Sequence, residues 1–129
     1  QKRHVKVIFS SDGGATFGQP VIVDDGHPIG RVDILLLQDG SALVSWVEAT
    51  QEGGEIRIRR VQPDGAKAPS MLIAKTSVVR ASGFPQIARS GNQLYFAWTN
   101  TDGPITIRTA IAESGDFKYN SLLLATSQL

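Results

Sequence analysis

The chain has 129 residues, a formal charge of +1 from 13 basic and 12 acidic side chains, 41% hydrophobic and 19% charged residues, and no cysteine. That balance describes one ordinary domain with core enough to fold, rather than a disordered chain. Disulfides and thiolate metal sites are excluded. No basic stripe supports nucleic acid or an anionic membrane surface as a partner, and no apolar run approaches the roughly 18 residues of a membrane span.

The chain opens on Gln1-Lys2-Arg3-His4, with no initiator Met and no signal-type apolar region. Helical periodicity is hard to find, whereas short apolar or alternating runs bounded by turn residues recur throughout. In chain order, strands are expected at 5–9, 21–24, 32–37, 42–47, 55–61, 71–75, 86–88, 94–99, 106–111 and 122–126. The connections carry turn signals: Asp12-Gly13-Gly14, Asp39-Gly40, Gly53-Gly54, Pro63-Asp64-Gly65, Ser90-Gly91-Asn92, Asp102-Gly103-Pro104 and Ser114-Gly115-Asp116. Glycines there supply the positive φ that tight hairpins demand.

A repeat emerges when the segments are stacked. Residues 32–46 (VDILLLQDGSALVSW) match 85–98 (PQIARSGNQLYFAW), each closing on a tryptophan, Trp46 and Trp98, 52 positions apart. Residues 55–76 lie over 104–126, and the opening stretch is a third copy of that half, aligning Val5, Ile56 and Ile105. A four-stranded unit recurring about every fifty residues is the mark of a propeller blade. The expectation is therefore an all-β chain, a β-propeller segment of about two and a half four-stranded antiparallel blades. Residues 1–26 form an outer half-blade, 27–79 one blade and 80–129 another. A single β-sandwich is the alternative, although it does not require a recurring unit with its Trp in register. The phase of the repeat puts residue 1 between the inner and outer halves of a blade, so the chain is expected to be cut from a larger protein, as its C-terminal part. The partners expected are the missing blades of the parent protein, and self-association through exposed blade faces.

Between the first two strands, Ser10, Asp12, Gly14 and Phe17 form a Ser-x-Asp-x-Gly-x-x-Phe pattern. The Asp12 carboxylate and the Ser10 hydroxyl can accept from backbone N–H groups that the turn leaves unpaired, and Phe17 can fold back as an apolar plug. The pattern resembles the Asp box of sialidases and other bacterial Asp-box proteins, and together with the repeat it resembles the sialidase-like propeller superfamily. Asp64-Gly65 and Phe117 look like remnants of further copies. The resemblance implies a structural Asp box on the outer rim, remote from any catalytic centre. It also implies export, so a periplasmic or secreted location, and a sugar- or protein-binding face.

In sialidases three arginines clamp the sugar carboxylate, a Tyr activated by a Glu is the nucleophile, and an Asp is acid/base. Such groups come from the starts of inner strands. Here those starts bring Arg31 and Arg80 as candidate carboxylate ligands and Asp33 and His27 as candidate acid or base. The plain alternative is that they are solvated, or that Arg31 pairs with Asp33 along one strand face. The Phe/Tyr-Arg-Ile-Pro motif of the first sialidase arginine is absent, and neither Tyr95 nor Tyr119 is well placed as a nucleophile. His4 and His27 are too few for a metal site, so no metal and no cofactor is expected. Asp24-Asp25 reads as a strand cap. Trp46 and Trp98 read as core, and Arg57, Arg59 and Arg108 as a solvated strand face. The expected function is a non-catalytic scaffold or a glycan- or protein-binding module, with part of an exo-sialidase-type glycoside hydrolase as the alternative.

Overall fold

A computed structural model describes residues 2–80, 82–101, 103–113 and 125–128, the last four by their backbone alone. Within them the chain is all-β and antiparallel, in three open sheets. Strands β1 (Lys6–Val7) and β2 (Val21–Ile22) pair with each other. Strands β3 (Pro28–Leu36), β4 (Ala42–Thr50), β5 (Gly53–Val61) and β6 (Met71–Thr76) form a meander, as do β7 (Gly83–Ser90), β8 (Gln93–Asn100), β9 (Thr106–Glu113) and β10 (Ala125–Gln128). Among the described residues no helix is long and apolar enough to cross a membrane.

Each expected strand has an observed counterpart, with shifted ends. The first is shorter because the Asp24 side chain, not a ladder partner, takes the Val5 N–H at 2.7 Å. The last lies at Ala125–Gln128, and Tyr119, Asp116 and Phe117 fall outside the described residues.

The sheets stack in layers, with β3–β6 in the middle. Its strand β4 reads ALVSWV, near-continuous apolar sequence suited to burial on both faces. Ala42, Val44 and Trp46 pack with Val61 against Val5, Val7 and Val23 of the first layer. Leu43 and Val47 turn the other way, joining Ile56, Ile58, Met71 and Ile73 against Leu94, Phe96, Trp98, Ala110 and Ala112 of the third. Both tryptophans are core residues, Trp46 fully buried and Trp98 nearly so. The middle and third sheets approach most closely where β3 and β4 meet β7.

Strand register corrects one alignment. Trp46 lies opposite Arg57 and Trp98 opposite Arg108, so Ile56 corresponds to Ile107 and not to Ile105. The β4–β5 turn needs only Gln51 and Glu52, while the β8–β9 ladder runs from Asn100 opposite Thr106, leaving Ile105 exposed ahead of β9.

One backbone device repeats. In β3, Gly30 and Arg31 have φ of 101° and 56°; in β7, Gly83 and Phe84 have 83° and 53°. Both pairs lie where the ladder to the next strand slips register. Two consecutive left-handed residues make a bulge that re-aims the following side chains, and the non-glycine member is strained. Gly83 carries a further demand, since an added Cβ would stand 3.0 Å from Val47 Cγ2. Gly83→Ala is therefore expected to destabilise the chain by about 1–3 kcal/mol through strain and overpacking combined. A urea midpoint unchanged from that of the original chain would contradict the close approach of β7 to β4.

Candidate functional site

The Ser10–Phe17 turn between β1 and β2 is a self-contained knot of hydrogen bonds. Ser10 Oγ donates to Asp12 Oδ1 at 2.8 Å and accepts from the Gly14 N–H at 2.8 Å. Asp12 accepts from the Thr16 N–H at 2.9 Å and the Thr16 hydroxyl at 2.6 Å. Gly14, at φ 92°, turns the chain where a side chain would be strained. Phe17 departs from expectation: it is 63% exposed rather than folded back as a buried plug. The Asp64 turn repeats the logic on a smaller scale, with Asp64 Oδ1 accepting from Ala66 N–H at 2.9 Å.

The Thr16 hydroxyl, the Thr16 N–H and Ser10 hold the Asp12 carboxyl well below its ordinary 3.8, at about 2. A depressed carboxylate contributes its stabilisation fully above the unfolded value, and the contribution is lost as pH falls through the folded one. The turn is thus expected to loosen between about pH 4 and 2. In a carboxyl-carbon NMR titration Asp12 should show a midpoint close to 2, with the Thr16 amide shift following it. A midpoint at the ordinary aspartate value would mean that the knot does not form.

At the opposite end of the strands, the segment joining β2 to β3 is held by carboxylates. Glu48, buried on β4, accepts from Trp46 Nε1–H at 2.5 Å, from Asp25 N–H at 3.2 Å and from His27 N–H. Asp24 accepts from Val5 N–H, from Gly26 N–H at 2.9 Å and from His4 Nδ1 at 3.2 Å. Burial pushes the Asp24 carboxyl up, but these hydrogen bonds outweigh it and hold the group below its usual range. Asp25 accepts from Arg59 Nη2 at 2.9 Å and Ser70 Oγ at 2.5 Å, with Arg57 Nε at 3.4 Å.

Arg57 and Arg59 are accordingly not the solvated face expected of them. They lie on the Trp46 side of the sheet, Arg59 stacked over the indole at 5.8 Å and donating to the carbonyls of Val23 and Ala68. The reason is register: each sits on the same face as the inward-pointing Trp46. Arg108 alone of the three is exposed.

Of the four candidate ligand residues, Arg31 and Asp33 both lie on β3 and reach toward β7 and the segment before it, without touching each other. Arg31 lies over the Phe84 ring at 5.1 Å and donates from Nη2 to the Val79 carbonyl at 3.0 Å, while its Nη1 is buried with no partner. Burial lowers its pKa from the ordinary guanidinium value. Asp33 turns away, accepting from Ile34 N–H at 2.9 Å and reaching across to Ile87 N–H at 2.8 Å. No Arg31–Asp33 pair forms, because the bulge at Gly30-Arg31 sends the two side chains in different directions. His27 is fixed by its backbone, with an exposed ring, and its carbonyl accepts from Ala49 N–H at 2.9 Å. Arg80 is exposed in the β6–β7 connection. The four therefore do not converge on one centre. Tyr95 is exposed and donates to Gln93 Oε1 at 2.7 Å.

Sequence reasoning passed over Glu48 as a hub. The signal was present in Trp46-Val47-Glu48, since strand alternation places the first and third residues on one face. It also passed over Arg60, buried beside Asp39 and Ser41 at the other end of the middle sheet. The Ser41 hydroxyl, its N–H and the Arg60 guanidinium outweigh the partial burial of Asp39 and hold its carboxyl at about 2.

Compared with protein-family models, with curated proteins and with solved structures, the chain returns no match.

Proposed function

We propose that this chain is a segment of an Asp-box, sialidase-like β-propeller that acts as a non-catalytic scaffold, presenting the loop face around Asp24–Pro28 and the β6–β7 connection to a glycan or protein. The propeller reading is supported by the recurring Gly-x bulge at the start of β3 and β7, by the layered stacking of successive four-stranded meanders, and by the Asp-box turn. The remaining blades of a longer polypeptide are its primary partners. An exported, periplasmic or secreted location accords with the resemblance to Asp-box proteins.

The observation that carries the non-catalytic reading is the occupation of the carboxylates. Asp24, Asp33 and Glu48 each accept from backbone N–H groups, and Asp25 is held by Arg59 and Ser70. A general acid or base must be free to exchange a proton with substrate. These groups are engaged in holding loops.

One feature favours the glycosidase alternative, the unpartnered Nη1 of Arg31, a donor suited to a carboxylate. Saturation-transfer NMR with N-acetylneuraminic acid, together with a fluorogenic sialoside assay, separates the two. The scaffold reading expects no turnover, and no transfer signal that depends on Arg31. Sialoside turnover that disappears in Arg31→Ala would establish the alternative.

A further inference from the structure

The first layer of the stack is incomplete in a specific way. In the third sheet, β9 and β10 are flanked by β8 and β7, and those two inner strands cover the middle sheet with Ile87, Leu94, Phe96 and Trp98. Among the described residues the first layer consists of β1 and β2 alone. It covers Ala42, Val44, Trp46 and Val61 of the middle sheet. It leaves β3 bare: Val32, Ile34 and Leu36 are 49%, 53% and 63% exposed, on the face that looks toward the first layer.

Beside that bare row runs an open strand edge. Val23 N–H donates to the Val5 carbonyl and Gly18 N–H to the Phe9 carbonyl, so alternation turns the backbone groups of Lys6 and Ile8 away from β2. Among the described residues nothing pairs with them. Clefts mark both ends of the slot. One lies between Val5, Lys6, Ile29 and Val32, and the other between Phe9, Phe17, Leu36 and Pro63. The cleft at the second end is also lined by Phe17, an otherwise unexplained exposed apolar side chain. An apolar row beside unpaired backbone is the composition of a strand-addition site.

We propose that this slot receives one antiparallel β-hairpin, whose second strand pairs along Lys6–Ile8 and whose apolar side chains at alternate positions seat on Val32, Ile34 and Leu36. The third sheet fixes the number of strands at two, since β7 and β8 occupy the corresponding space one layer on. It fixes the chemistry as well. The face that β3–β4 turns toward the third sheet carries Leu35, Leu43 and Val47, so a copy of β3–β4 has the pattern the slot requires. The inference rests on the stacked-sheet reading but not on any glycan.

The probe is a peptide of residues 28–50, supplied free at up to millimolar concentration and also joined through a flexible link ahead of Lys2, because a free hairpin is only marginally stable. Three results are expected. The joined form melts at a higher temperature than the original chain. Amide exchange slows at Lys6 and Ile8 on binding. Ile34→Lys, at an already exposed site, abolishes the gain in melting temperature and weakens the free peptide by about tenfold or more, whereas Ile107→Lys on the far face of the third sheet does neither. The proposal is overturned if Lys6 and Ile8 stay unprotected in the joined form, or if Ile107→Lys is as damaging as Ile34→Lys. It is also overturned if the original chain alone forms a dimer that Ile34→Lys dissolves, which would make the occupant a second copy. None of these results depends on Arg31, so failure here is distinct from failure of the scaffold reading.

Discussion

Trp46→Ala is expected to cost about 3–5 kcal/mol, a large share of the roughly 5–15 kcal/mol that stabilises an ordinary domain. The indole is fully buried in the layer between β4 and the β1–β2 pair, among Val5, Val7, Val23 and Val44. Its removal leaves a cavity bounded by two sheets, which cannot collapse without separating Val23 from β4. Arg59 loses the ring it covers, and Glu48 loses a donor. Urea unfolding followed by circular dichroism and by the remaining tryptophan measures the loss. Trp98→Ala is expected to cost less, because among the described residues the sheet that carries it is covered on one face only and can relax outward. Equal losses would show that β3–β6 is not the middle layer.

The second large effect is expected at Glu48. Glu48→Ala removes the shared acceptor of Trp46 Nε1–H, Asp25 N–H and His27 N–H. A buried donor left without a partner costs about 1–3 kcal/mol. Water reaching the loop recovers part of the sum, so a net loss of about 3 kcal/mol is expected. Glu48→Gln keeps an acceptor and should lose about 1 kcal/mol. Hydrogen exchange locates the damage: the Asp25 and His27 amides should lose protection in Glu48→Ala, while the β8–β9 ladder keeps it. Trp46→Phe combined with Glu48→Ala should fall short of additivity by about 1 kcal/mol, since both remove one hydrogen bond. Full additivity would mean that the indole and the carboxylate do not interact.

The strands were legible because they are meander strands. Each pairs with a sequence neighbour across a turn rich in Gly, Asp or Asn, so local signals were enough to find β4, β5, β8 and β9. The two core tryptophans were legible for the same reason, as a recurring point in a local pattern. What escaped the sequence depends on register and on contacts between layers. Ile105 looked equivalent to Ile56 because the unequal β4–β5 and β8–β9 connections cannot be counted without knowing which residues pair. Arg57 and Arg59 looked solvated because alternation alone does not say which face of a sheet is covered. Phe17 looked like a plug because an apolar ring just past a turn can fold back, whereas here it is exposed. At the site, Arg31 and Asp33 were rightly marked as unusual, but their partners, Phe84 and Ile87, are more than fifty residues further on and no local rule connects them.

The meander has a consequence for synthesis. A chain emerging from the ribosome can close β3–β6 as soon as Thr76 is out, because every backbone pairing in that sheet is between consecutive strands. Such short-range closures are quick, whereas the tie from Asp33 to Ile87 must wait for the next sheet. During that interval the side of the nascent sheet bearing Leu43, Val47, Ile56 and Ile58 faces water, a sticky surface presented for as long as translation takes to deliver Phe96 and Trp98. Slowing elongation after Thr76 has left the ribosome and before Trp98 has done so would lengthen that exposure and raise the yield of aggregated chains, whereas a pause once the whole of β9 has emerged would not.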